Sequence, residues 1–138
     1  MILLIALIFT SCGIGVKPIE YGTDVCYYCD MTIVENQYGA EAVTDKGKIR
    51  KFDAIECMVK YIRKNPELEF FSTVVNVFDQ PGELFDAKTC TYLITRALPS
   101  PMGAYLTAFS TKEKAIEMQK KKMGELYTWE EILAREKL

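Results

Sequence analysis

One order of segments stands twice in this 138-residue chain and limits its fold more than any other feature. A short strand over Gly39 to Thr44, a turn at Asp45-Lys46-Gly47 and a second strand over Lys48 to Phe52 lead into a helix from Ala54 to about Lys64. Asp53 stands at its N-cap with Glu56 three residues on, the spacing of a capping box. Its apolar stripe, Ile55, Met58, Val59 and Ile62, follows the i, i+3, i+4, i+7 rule. Asn65-Pro66 stops it, and the β-branched and aromatic run Phe70 to Phe78 reads as a buried strand, completing a ββαβ unit. A similar order returns with strands over Cys90 to Thr95 and Tyr105 to Phe109, then Ser110 and Glu113 at capping-box spacing. The second helix has a poorer stripe of Ala115, Ile116 and Met123, carries Lys120, Lys121 and Lys122 where cations suit the helix dipole, and ends at Gly124. Thr128 and Glu131 cap a last helix that turns Trp129, Ile132 and Leu133 inward. The expected fold is α+β, a single compact domain of two tandem ββαβ-like units.

Composition removes several functions. The chain has no histidine, so His-based triads, His metal ligands and the commonest general base are excluded. Seventeen basic against nineteen acidic residues leave no positive face to replace phosphate counterions, which excludes nucleic acid as a partner. Five cysteines and six methionines give it soft-ligand capacity instead.

Residues 1–11 (MILLIALIFTS) are almost wholly apolar. The run is too short to span a membrane, which takes about twenty residues, and fits the hydrophobic region of a secretory signal. Thr10 and Ser11 before Cys12 resemble a lipobox, in which the cysteine is lipidated and becomes the new N-terminus. The expected organisation is a lipoprotein signal peptide over 1–11, a lipid-anchored tether over 12–23 and a binding domain over 24–138. The protein would then sit on the periplasmic side of a membrane. Gly13 offers no inner-membrane aspartate signal, which favours the outer membrane. In that oxidising setting Cys26, Cys29, Cys57 and Cys90 allow three disulfide pairings, although the apolar content is enough to fold without any.

Chemistry concentrates in two segments. In Cys26-Tyr27-Tyr28-Cys29-Asp30-Met31, two thiols separated by two residues can face one ion when the peptide between them turns, and Met31 adds a thioether. Thiolate with thioether selects Cu(I) over hard cations. A structural zinc site wants four Cys or His ligands, and only one CxxC is present. In Ser100-Pro101-Met102-Gly103-Ala104, a methionine between Pro and Gly is a candidate remote ligand. Cys57, beside the helix stripe and next to Met58, reads as a buried packing thiol, and Cys90 as structural, with a Cys57–Cys90 bridge open. The competing reading is a thiol–disulfide oxidoreductase in which Cys26 attacks and Cys29 resolves. That chemistry prefers a lowered thiol pKa, whereas the neighbouring Asp24 and Asp30 should raise it.

These residues, with Tyr38-Gly39-Ala40, Phe52-Asp53-x-x-x-Cys57, Asp86-Ala87 and Trp129-Glu130-Glu131-Ile132, together resemble the NosL family over roughly residues 24–133. Its members are lipid-anchored, copper-binding accessory proteins for nitrous-oxide reductase, related in fold to organomercurial lyase. The resemblance implies an extracytoplasmic Cu(I) metallochaperone, a carrier and not an enzyme. Its partner would be nitrous-oxide reductase or the machinery that matures it. Position by position it implies Cys26, Cys29, Met31 and Met102 as metal ligands, with Cys12 as the lipidation site. Asp30 stands where the family often has glycine.

Overall fold

The strand–strand–helix–strand order is realised twice in the computed structural model, which describes residues 14–138. In the first unit β1 (Ala40–Thr44) and β2 (Ile49–Phe52) form an antiparallel hairpin. Gly47 supplies the left-handed backbone (φ +76°) that its turn requires. After α1 (Ile55–Lys64), β3 (Phe70–Val77) returns antiparallel along the other side of β1. The second unit repeats this with β5 (Thr91–Ile94), β6 (Leu106–Phe109), α2 (Lys112–Lys122) and β7 (Glu125–Tyr127). The sheet orders β2-β1-β3 and β6-β5-β7 are therefore one topology used twice. The first sheet is extended at its edge by β4 (Gln80–Asp86), and α3 (Trp129–Ala134) closes the chain. Two of these strands are not visible in the sequence pattern. β4 begins with four exposed residues and has no apolar alternation, and β7 is three residues long.

Helix α1 lies between the sheets, touching β1 and β2 on one side and β6 and α3 on the other. Its first two turns are therefore buried on nearly every face, and not only along the stripe: Glu56 and Cys57 are inside with Ile55, Met58 and Val59. Period-two alternation in the second sheet serves two cores. Tyr92 enters the main core, where its ring meets Trp129 at 5.6 Å and its hydroxyl donates to the Ala87 carbonyl at 2.8 Å. The next residue, Leu93, faces the smaller core with Phe109 and Ala115 of α2. Met123, expected in that helix's stripe, is instead an exposed C-cap with φ +61°, while Met118 packs against the smaller core.

Only one of the three expected capping boxes is a capping box. Thr128 and Glu131 cap α3 reciprocally. At α2 the cap is Thr111, and Ser110 instead meets the Asp79 carboxylate through both its backbone N–H, at 2.9 Å, and its hydroxyl. At α1 the N-cap is Ala54 with no side-chain hydrogen bond, because Asp53 and Glu56 are engaged elsewhere.

The segment expected to be a tether joins the fold early. The Lys17 N–H donates to Glu41 Oε1 at 2.9 Å, Lys51 Nζ donates to the Pro18 carbonyl at 2.7 Å, and Ile19 is buried. The expected signal peptide and Cys12 lie outside the described residues. Among the described residues no helix is long and apolar enough to cross a membrane.

Candidate metal centre

The CxxC loop is a tight knuckle. The Cys26 N–H donates to the Met31 carbonyl at 2.8 Å, and the Asp30 N–H returns to the Cys26 carbonyl at 3.0 Å. Closing so short a loop puts Asp30 at φ +62°, left-handed space that aspartate tolerates better than most residues and glycine best. The Tyr27 N–H ties the knuckle to β2 through the Lys51 carbonyl at 2.8 Å. Its two tyrosines brace it from outside. The Arg50 guanidinium sits 4.1 Å over the Tyr27 ring, Lys64 Nζ sits 4.9 Å over Tyr28, and Tyr27 meets Tyr61 edge-on at 5.5 Å.

The knuckle aims its thiols at the start of α1. One ligand atom each from Cys26, Cys29, Asp53 and Cys57 lies within 4.8 Å of the other three. A tetrahedron with metal–sulfur bonds of about 2.3 Å has edges of about 3.8 Å. Less than about an ångström of contraction would therefore seat an ion. Cys26 and Cys57 are fully buried and Cys29 is half-buried. The neighbouring Cys57 thiol, with the help of the Asp53 backbone, pulls the Cys26 pKa down to about 6. The nearness of Cys26, with burial, drives the Cys57 pKa up. Burial pushes Cys29 up to about 11, and its thiol donates to Asp53 Oδ1 at 3.3 Å. The other Asp53 oxygen is buried without a partner. Asp24 does not govern these thiols, since it is paired with Lys51 Nζ at 2.6 Å. The expected rise at Cys26 is thus reversed by a neighbour 31 positions along the chain, Cys57.

Beside the cluster runs a cleft of about 110 Å³, lined by Met31, Thr32, Val34, Glu35, Asp53 and Pro101. Met31 is 48% exposed on its wall. Met102, next to Pro101, is half-buried and packs against the main core that contains Cys26 and Cys57. Its loop is held to α1: Ser100 Oγ donates to Glu56 Oε1 at 2.5 Å and the Ala104 N–H donates to the same oxygen at 3.4 Å. Two loops and one helix start, drawn from both ββαβ units, thus converge here.

Comparison with known proteins bears on the family and the fold. The NosL family model matches residues 20–136. The chain belongs to the NosL family. The fold of this family member is shared with the crystal structure of the copper chaperone NosL from Shewanella denitrificans. That structure has a TM-score of 0.74 and 20% identity, with 86% of this chain and 96% of the other covered. No curated protein matches it.

Of the residues singled out in the sequence of this NosL chain, the structure brings Cys26 and Cys29 into one cluster and places Met31 at its rim. The Met102 loop closes the same cleft through Pro101. It adds Asp53 and Cys57, which the sequence reading assigned to capping and packing. The signal for them was the Phe52-Asp53-x-x-x-Cys57 motif itself, although Asp53 lies before the extended N-cap Ala54 and not on the helix. Cys90 stays apart. Its thiol donates to the Asp86 carbonyl at 3.4 Å, and burial pushes it up to about 12. All four described cysteines are free, with no Cys57–Cys90 bridge.

Proposed function

We propose that this NosL-family protein is a Cu(I) carrier that takes the ion into the sulfur cluster and gives it up by ligand exchange at the Met31 rim. One observation carries the reading: three thiols from two separate segments lie within 4.8 Å of one another in a chain without histidine. Such a donor set prefers a soft monovalent ion. The copper chaperone named above shares the fold, which supports the same cargo here. Cys26 and Cys29 are the primary ligands and Cys57 the inner one. Met31 and Met102 are weaker thioether donors on the open side, where a partner's ligands can replace them. The carrier, not an enzyme, acts on the periplasmic side of a membrane, anchored by lipid at Cys12. Its client is nitrous-oxide reductase or the machinery that matures it.

The burial pattern speaks against thiol–disulfide exchange. An attacking thiolate must reach a substrate disulfide. Here Cys26, the thiol of lowered pKa, is fully buried, while the more exposed Cys29 has its pKa raised and donates to Asp53.

The test is a Cu(I) titration of the reduced protein against a competing chelator, beside Cys26→Ser and Met102→Ala. Tight stoichiometric binding, abolished by Cys26→Ser and weakened by Met102→Ala, is expected. Binding indifferent to Cys26 would overturn the reading and make the redox potential of the Cys26–Cys29 pair the next measurement.

A further inference from the structure

Glu56 is the least expected residue of α1. It is fully buried between Ile55 and Cys57. A carboxylate withdrawn from water costs several kcal/mol unless it is well bonded. Among the described residues its side chain takes part in no ion pair; the pairs there are Lys51–Asp24 and Lys121–Glu117. It is not used as a helix cap either. Its bonds go to one place. Oε1 accepts from the Ser100 hydroxyl at 2.5 Å and the Ala104 N–H at 3.4 Å, and Ser100 Oγ in turn accepts the Tyr105 N–H at 2.9 Å. Those partners flank the triplet Pro101-Met102-Gly103 on both sides.

Besides the packing of Met102 on the main core, the triplet has few bonds of its own. It lies outside any strand, and the one backbone hydrogen bond from within it runs from the Gly103 N–H to the Ser100 carbonyl at 3.0 Å. Gly103 and Tyr105 sit in left-handed backbone at φ +77° and +59°. For Tyr105, a bulky residue, that conformation persists only when its surroundings enforce it. Pro101 lines the same cleft as Met31 and Asp53.

We propose that Glu56 is a positioning residue for the metal site: one buried carboxylate oxygen pins both ends of the Met102 loop to the helix that carries Cys57. Because Glu56 adjoins Cys57 and follows Asp53 by three residues, helix start, inner ligands and thioether loop are held as one body. Without the tie, the loop samples other conformations, and copper affinity falls by the fraction of time Met102 is away from the site. The proposal rests on the copper reading and on Met102 as a ligand.

The experiment is a double-mutant cycle read as Cu(I) affinity, with the sulfur count around bound copper from X-ray absorption. Glu56→Ala is expected to lower affinity about 10-fold, the low end for losing a group that orients a ligand, and to remove one sulfur scatterer. Glu56→Gln, which keeps an acceptor oxygen, is expected to restore most of both. In a Met102→Ala background, Glu56→Ala should have no further effect on affinity. Ser100→Ala cuts the same tie from the loop side and should reproduce the result if Glu56→Ala folds poorly. Losses that multiply in the double variant, or an unchanged affinity in both Glu56→Ala and Ser100→Ala while Met102→Ala is impaired, would overturn the proposal. If Met102→Ala alone binds as well as the parent, the ligand assignment is what fails, and the positioning role falls with it.

Discussion

Replacing Cys57 with serine takes one sulfur from the cluster and changes little else. The sulfur is fully buried and lies within 4.8 Å of the ligand atoms of Cys26, Cys29 and Asp53. An ion seated between the two loop sulfurs is thus in reach of the third. Asp53 is a poor replacement, since a carboxylate is a hard donor and Cu(I) a soft acceptor. Losing a residue that only orients a metal ligand costs 10- to 100-fold in affinity. Losing a thiol ligand should reach at least the upper figure, about 100-fold, or about 2.8 kcal/mol at 1.4 kcal/mol per decade. The stability cost should be smaller, about 1 kcal/mol, because serine nearly matches the thiol in size and its hydroxyl can hydrogen-bond within the cluster. The assay is competition with a Cu(I) chelator on reduced protein, with the urea midpoint of the apo form measured beside it. Cys90→Ser, at a buried thiol outside the cluster, is the control and should leave affinity unchanged. An affinity for Cys57→Ser within about threefold of the parent (under 0.7 kcal/mol) would refute the argument and return Cys57 to core packing.

Gly124→Ala tests the join between α2 and β7. Gly124 has φ +110°, and an added Cβ would lie 2.4 Å from the Ile94 carbonyl oxygen and 2.8 Å from Thr95 Cβ. A cost of about 2–4 kcal/mol in urea unfolding is expected, and a stability unchanged from the parent would count against this packing of β7 on β5. Glu41 tests the first sheet. Burial pushes its carboxyl above the ordinary 4.5, and its Oε2 has no partner. The folded state therefore keeps that proton to higher pH than the unfolded chain. The associated stability is full below the ordinary carboxyl value and lost as pH rises through the folded one. Glu41→Gln should flatten that part of the stability–pH curve, and an identical slope in parent and variant would contradict it.

Elements written in local pattern were legible in the sequence. The hairpin turn at Asp45-Lys46-Gly47, the run of α1, the Thr128–Glu131 cap and the doubled ββα order all follow from turn chemistry and periodicity, which act within a few residues. What was misread depends on partners far along the chain. Asp53 and Glu56 have the spacing of a capping box, but Asp53 is taken by Cys29, 24 residues earlier, and Glu56 by Ser100, 44 residues later. Cys57 reads as packing because Met58 is its neighbour. Only the arrival of the Cys26–Cys29 knuckle makes it part of a cluster. The lowered pKa of Cys26 is likewise a gift of Cys57, whereas the two nearby aspartates suggested the opposite. Asp30 is the reverse case, since a departure from the family's usual glycine in sequence becomes a left-handed loop closure in structure.

Lys51 joins three parts of the molecule. Its ammonium holds the Pro18 carbonyl at 2.7 Å and Asp24 at 2.6 Å, and its own carbonyl receives the Tyr27 N–H at 2.8 Å. Mechanically, the lead-in segment and the metal loop are riveted to the same point of β2. A pull applied at residue 14 is borne first by the Lys17–Glu41 and Lys51–Pro18 bonds, so slack in the leading chain does not reach Cys26. The heading of the thiol knuckle is therefore set by the sheet, at a fixed angle to the lead-in segment from residue 17 onward.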